Sequence, residues 1–210
     1  MNRSVSCPKR VDMPISKTPL KTGLSLLLCL SLFLSLACNR GEETKRMVSS
    51  DGRFEITVPG AWTQETKLHD EAQIQATHRS SNQFTLVIAE EKGDFDNISL
   101  EEFCAITLDG MHQKLKSPRE GKPTTLIIDR NTALQRELRA TMDYLKIIYL
   151  HTCIESPTHF YQIIQWTTPS KYAKHRKTFK KITQYFKERK RDQPPSPNPL
   201  KEVEEATNQI

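Results

Sequence analysis

The chain has 210 residues, with 31 Lys and Arg against 25 Asp and Glu, a formal charge of +6. Residues 1–37 hold five of those basic residues and one acid, which leaves 26 against 24 in the rest. So balanced a remainder excludes nucleic acid as a partner, and its 173 residues suffice for one domain with a two- or three-layer core.

The first element is an apolar run, GLSLLLCLSLFLSLAC from Gly23 to Cys38, preceded by Arg3, Lys9, Arg10, Lys17 and Lys21. Its core is too short to span a bilayer comfortably, and the small Ala37 precedes Cys38. The pattern reads as a bacterial lipoprotein signal, cut between Ala37 and Cys38 and leaving an acylated cysteine. Ser35 departs from the leucine-like residue usual at that position of the lipobox; the alternatives are ordinary secretory cleavage or an uncleaved anchor. The stretch before the apolar core is roughly twice the usual length, which leaves Met13 beside Met1 as a start. Residues 1–37 are therefore assigned to the signal and 38–45 to a polar tether. Asn39 lacks the aspartate that retains many lipoproteins in the inner membrane, so a Gram-negative host would sort the protein to the outer membrane. In a cyanobacterium the lumenal face of the thylakoid is the counterpart.

The folded unit is placed at 46–189. Phe54, Ile56 and Val58 alternate with Glu55 and Thr57 before a Pro59-Gly60 turn, the pattern of a half-buried strand. Further strands are predicted at 74–78, 84–90, 124–128, 133–142, 145–155 and 159–167, rich in β-branched and aromatic residues and punctuated at Asn131, Asp143 and Pro157. They predict consecutive antiparallel hairpins in a sheet that helices must cover. The pairs Ile147-Ile148 and Ile163-Ile164 belong to strands buried on both faces.

Two helices are predicted. Ser99 and Glu102 form a capping box, after which Leu100, Phe103, Cys104, Leu108, Met111 and Leu115 share a face until Pro118. The second helix follows Pro169, with Ser170 as its N-cap, and sets Tyr172, His175, Phe179, Ile182 and Phe186 at steps of three and four. Its other face is basic: residues 170–191 contain ten Lys or Arg and one acid, Glu188. Residues 190–210, with Pro194, Pro195, Pro197 and Pro199 ahead of an acidic stretch, have too little apolar surface to offset ordering entropy and are predicted to be a disordered tail.

The segments SSDGRFEITVPGAWTQE (Ser49 to Glu65), FTLVIAEEKGDF (Phe84 to Phe95), ISLEEF (Ile98 to Phe103) and HFYQIIQWTTPSKYAKHRKTFKKITQYF (His159 to Phe186) resemble the PsbP-like superfamily. Its members include the photosystem II extrinsic protein, related bacterial lipoproteins and the Ran-binding Mog proteins. The resemblance covers nearly the whole mature domain. It implies an α+β fold, an antiparallel β-sheet covered by helices on both faces in an α/β/α sandwich, and brings no catalytic residues with it. The short connections at Asp129-Arg130-Asn131 and Met142-Asp143-Tyr144 favour a general PsbP-like lipoprotein over a photosystem II-associated homologue.

Motifs for chemistry are sparse. The chain contains no G-x-S-x-G, no H-E-x-x-H and no Gly-rich phosphate loop, so a non-enzymatic role without cofactor is expected. His151, Cys153 and His159 are the candidate metal ligands, weighed against ordinary burial of a Cys and a His on a sheet. Cys104 and Cys153 are the even pair that an oxidising compartment would let bridge; the alternative is burial as two separate small apolar residues. Lys187, Arg189, Lys190 and Arg191, with Lys174, Lys177 and Lys181 on the helix body, are candidates for contact with anionic lipid or an acidic partner, against a merely solvated face. Trp62 and Trp166 are assigned to core or rim packing ahead of a shared binding groove. The expected function is that of a membrane-anchored extracytoplasmic lipoprotein, a binding or assembly accessory of a membrane or envelope protein complex, with a small-ligand or metal carrier as the competing class.

Overall fold

The structure of the protein, a computed structural model, describes residues 43–189. The predicted signal, Cys38, most of the tether, Lys190, Arg191 and the proline-rich tail lie outside the described residues.

The chain enters through β1 (Thr44–Val48), which pairs antiparallel with β2 (Phe54–Pro59). It continues through β3 (Thr63–Gln64), β4 (Ile74–His78) and β5 (Gln83–Glu91) to α1 (Leu100–Lys114). Then follow β6 (Lys116–Glu120), β7 (Thr124–Ile128), β8 (Asn131–Met142), β9 (Leu145–Glu155), β10 (His159–Thr167), α2 (Pro169–Gln184) and β11 (Lys187–Glu188). Eight strands form an antiparallel sheet in the order β3-β4-β5-β10-β9-β8-β6, with β7 also paired to β8. β1, β2 and β11 form a separate three-stranded sheet. Among the described residues no helix is long and apolar enough to cross a membrane.

The centre of the large sheet is β9 and β10, whose near-continuous apolar runs bury side chains on both faces. On one face Ile148, Leu150, Ile154, Tyr161 and Ile163 meet Tyr172, Phe179 and Ile182 of α2 and Phe54, Ile56 and Val58 of β2. On the other, α1 brings Leu108 against Leu138, Tyr149 and Ile164, and Phe103 and Cys104 against Leu134, Cys153 and Phe160. The predicted sandwich is therefore present, with one refinement: the strand at Phe54 belongs to the layer that covers the sheet with α2, and is not part of the sheet itself. Pro59-Gly60 and the turn closed by Trp62 N–H on Pro59 O break the chain between the two.

Local chemistry explains most element ends. Glu102 N–H donates to Ser99 Oγ (3.2 Å) and Ser99 N–H to Glu102 Oε2 (2.8 Å), which completes the capping box of α1. At α2 the N-cap is Thr168, not Ser170, because the fixed φ of Pro169 suits the first helical position and draws the boundary one residue before it. Both two-residue hairpins, Asp129-Arg130 (φ 47° and 68°) and Asp143-Tyr144 (φ 44° and 67°), have the double positive φ of type I′ turns, whose twist matches the flanking strands. α1 stops at Lys114, ahead of Pro118; Lys116–Glu120 instead makes an edge strand with a register shift between Lys116 and Arg119. The predicted tether also ends early, since Thr44 and Lys45 pair with Pro59 and Val58.

Candidate functional site

A cleft of about 810 Å³ opens at one end of the domain, where the start of β10, the start of β2, the β7–β8 turn and β11 converge. It is lined by Arg53, Arg130 and Arg189, by Glu91, Asp129 and Glu188, and by His159 and Tyr161. The three arginines and three acids balance, so the cleft offers both donors and acceptors and no net attraction for one sign.

Arg53 is its hub. The guanidinium donates to Asp51 Oδ2 (2.6 Å) and Glu91 Oε1 (3.2 Å), and the Asp51 bond holds Arg53 still more firmly in its charged form. Its Nη1 also lies 2.7 Å from His159 Nε2. A guanidinium can only donate, so this nitrogen of His159 is the acceptor and the ring proton sits on Nδ1, 2.8 Å from Thr158 Oγ1. The lone pair of His159 is thereby engaged and is not aimed at a substrate as a base.

Glu188 is the second fixed point. Its Oε1 accepts from Tyr161 OH (2.7 Å) and Ser156 Oγ (3.1 Å), and its N–H donates to Asp129 Oδ2 (2.9 Å). Burial first, and the Glu188 carboxylate second, push the Tyr161 phenol far above its usual range, so it remains a donor. The single acid in the basic run of 170–191 thus turns inward and ties β11 to the sheet. Arg189 N–H donates to Arg53 O (2.7 Å), and its Nε lies 3.6 Å from Glu55. Arg130, exposed at the turn, projects from the rim.

The sequence-based metal candidates do not assemble. His151 and Cys153 face α1, whereas His159 lies on the opposite face of the sheet with Tyr161. The register explains it: Cys153 pairs with Gln162 and His151 with Ile164, so odd-numbered residues of β9 share a face with even-numbered residues of β10. The third member of the cluster is Cys104, and the ligand atoms of Cys104, His151 and Cys153 lie within 4.8 Å of one another. Cys104 and Cys153 are joined as a disulfide, with Cα atoms 5.9 Å apart, so the bridged alternative is the one found here. His151 is fully buried beside them; Thr107 Oγ1 lies 3.4 Å and Gln162 Oε1 3.5 Å from its Nε2. Burial drives its pKa down to about 4, against a smaller upward effect of Gln162. As a neutral residue it packs against the bridge. The two thiolates a metal would need are consumed by that bridge.

The tryptophans line no common groove. Trp62 is buried in the α2-side core against Phe179, while Trp166 stacks on Phe84 on the α1 side. Lys187 and Arg189 are placed by β11 and the residue after it, while the predicted lipidation site Cys38 is outside the described residues. Arg53, Tyr161, Asp129 and Glu188 were not singled out as a site from the sequence. They come from four separate segments, and only the isolated acid Glu188 and the short turn at Asp129 marked the region in advance.

Sequence comparison finds no matching family model and no matching curated protein. Solved structures do match. The cyanobacterial PsbP (CyanoP) of Synechocystis sp. PCC 6803 is similar over 73% of this chain and 98% of its own, at 11% identity and a TM-score of 0.54. LpqN of Mycobacterium tuberculosis, described as involved in cell envelope biogenesis, matches 69% of this chain and 89% of its own, at 9% identity and a TM-score of 0.52. The Ran-binding protein Mog1p of Saccharomyces cerevisiae matches 70% and 95%, at 9% identity and a TM-score of 0.51. Identities so low speak for the fold alone. An antiparallel sheet with a helix on each face, aligned over nearly the full length of CyanoP and Mog1p, gives this chain the PsbP-like fold.

Proposed function

We propose that the protein is an extracytoplasmic lipoprotein, held to a membrane through Cys38, which binds a membrane or envelope protein complex and supports its assembly through the cleft, without a reaction of its own. One geometric observation carries this reading. The chain enters the domain at Thr44, opposite Pro59, whereas the cleft is built on Arg53 at the other end of the same strand. The six steps along the strand from Arg53 to Pro59 place them about 20 Å apart. An anchor at one end and a contact surface at the other is the arrangement expected of an accessory subunit.

Other features support it. A bridge between Cys104 and Cys153 fits an oxidising compartment, in line with the export signal. The charged residues that line the cleft, Arg53, Arg130 and Arg189 with Glu91, Asp129 and Glu188, suit contact with the polar surface of a protein. CyanoP and LpqN, the second tied by its description to the cell envelope, share the fold. Metal carriage is the second reading, favoured by the proximity of Cys104, His151 and Cys153, and it requires the bridge to be reduced.

Crosslinking in intact cells, followed by affinity purification and mass spectrometry, tests the first reading. We expect a defined membrane complex with the native protein and its loss with Cys38→Ser. Absence of any reproducible partner, together with a stoichiometric metal lost in both His151→Ala and Cys153→Ala, would establish the second reading instead.

A further inference from the structure

The two layers that cover the sheet differ in charge. α2 contains Lys171, Lys174, Arg176, Lys177, Lys180 and Lys181 and no acidic residue. Its buried side is Tyr172, Phe179, Ile182 and Thr183, and helical spacing sets Lys174, Lys177 and Lys180 on the outward side, where all three are exposed. Arg176 is turned aside toward Glu137, at 3.3 Å. The three-stranded sheet continues this layer. Because Phe54, Ile56 and Val58 point into the core, the alternate residues point out. Arg46 pairs with Thr57 and Lys187 with Glu55, which adds two cations and one acid to the outer surface. α1, on the other side of the molecule, exposes Glu101, Glu102 and Asp109 against Lys114. The domain is nearly neutral overall and yet polarised through its thickness.

The route of the chain says what the cationic layer meets. Thr44, where the chain enters, belongs to β1 and so to that same layer. Residues 39–43 separate it from Cys38, a reach of at most about 20 Å when extended. A lipid at Cys38 therefore keeps the bilayer within reach of this layer.

We infer that the layer formed by α2 and β1-β2-β11 lies against an anionic bilayer, with Lys174, Lys177 and Lys180 over lipid headgroup phosphates and α1 turned away. Contact of this kind is electrostatic, additive over the lysines and weakened by salt. The lipid holds the chain at the bilayer, and the cationic layer fixes which side of the domain faces it. The orientation aims the cleft, at the end of the sheet, along the membrane plane. The lysines of the helix body thus take the contact that the sequence offered to them together with Lys187, Arg189, Lys190 and Arg191; of these Lys187 belongs to the same layer and Arg189 lines the cleft. The inference rests on the lipid-anchor reading for its choice of a bilayer over an acidic protein.

The test uses the processed chain from residue 38 with Cys38→Ser, so that no lipid contributes. Co-sedimentation is measured with phosphatidylcholine vesicles with and without phosphatidylglycerol, at rising salt. We expect binding only to the anionic vesicles, falling as salt rises, and lowered roughly tenfold or more by Lys174→Glu, Lys177→Glu and Lys180→Glu together. Replacing Lys114, Lys116 and Lys122 by Glu changes the net charge equally on α1 and the β6 side, and should leave binding nearly unchanged. A thermal midpoint for each variant confirms folding, and Gln at the three α2 positions serves if the Glu variant is unfolded. Equal losses from both triples, no preference for anionic vesicles, or capture by an acidic protein in place of vesicles would overturn the inference. Labelling of Cys38 with palmitate in cells is scored separately: absence of label refutes the anchor reading, while vesicle binding judges the surface.

Discussion

His151 is an ionisable side chain sealed beneath α1, and its environment dictates how the fold responds to acid. Burial lowers its pKa to about 4 in the folded protein, against about 6.5 in the unfolded chain. Between those values the unfolded state binds more protons than the folded one. The contribution of neutral His151 to stability is therefore fully present above about pH 6.5 and lost as pH falls toward 4, a change of about 3 kcal/mol. Thermal unfolding should show the midpoint of the native protein falling over that window, and His151→Gln should flatten the fall by a comparable amount. An identical pH profile for both proteins would contradict a buried neutral histidine. At this scale the sequence was a partial guide. It marked His151 and Cys153 as neighbours on one strand face, because period two is enough to see that. It grouped His159 with them because the parity of the β9–β10 register depends on how three turn residues, 156–158, are shaped, which composition does not reveal. Arg53 carried no mark at all, since an arginine near a turn has many ordinary uses.

The elements were more legible than the residues between them. The strands at 74–78, 124–128, 145–155 and 159–167 end where their patterns end, and the capping box located the start of α1. β6 was missed because Pro118 read as a helix stop, while its actual place is an edge strand whose irregular register tolerates proline. β11 was hidden in a basic run that gives no strand signal. Relations between elements were the harder inference, as Cys104 and Cys153 show: whether they bridge depends on where α1 crosses β9, and no spacing in the chain states that distance. The bridge closes a loop with a sequence separation of 49 and ties α1 to the centre of the sheet. In the chain-entropy account, closing such a loop stabilises the fold by about 4 kcal/mol. Thermal unfolding with and without a reductant should show a lower midpoint on reduction, and Cys104→Ser should reproduce it in the absence of reductant. A midpoint indifferent to both treatments would show that the bridge contributes nothing to the fold.

For the whole molecule, the sandwich was readable because each layer announces itself by period: two for the strands, three and four for the helices. The cleft was not, because its walls come from β2, β10, the β7–β8 turn and the segment after α2, and only the folded topology brings them to one end. That topology also gives the domain its polarity, with the incoming chain at one end of β2, the cleft at the other, and a cationic layer joining them along one side. With this polarity the cleft end is the part of the molecule proposed to meet a partner at the membrane. The most direct test of that contact is site-specific photocrosslinking in cells, with a benzoylphenylalanine in place of Arg130 at the cleft rim and, as a control, in place of Gln113 on α1. One defined membrane-protein adduct is expected from position 130 and none from position 113; an adduct from 113 alone, or none from either, would rule out the cleft end as the contact surface.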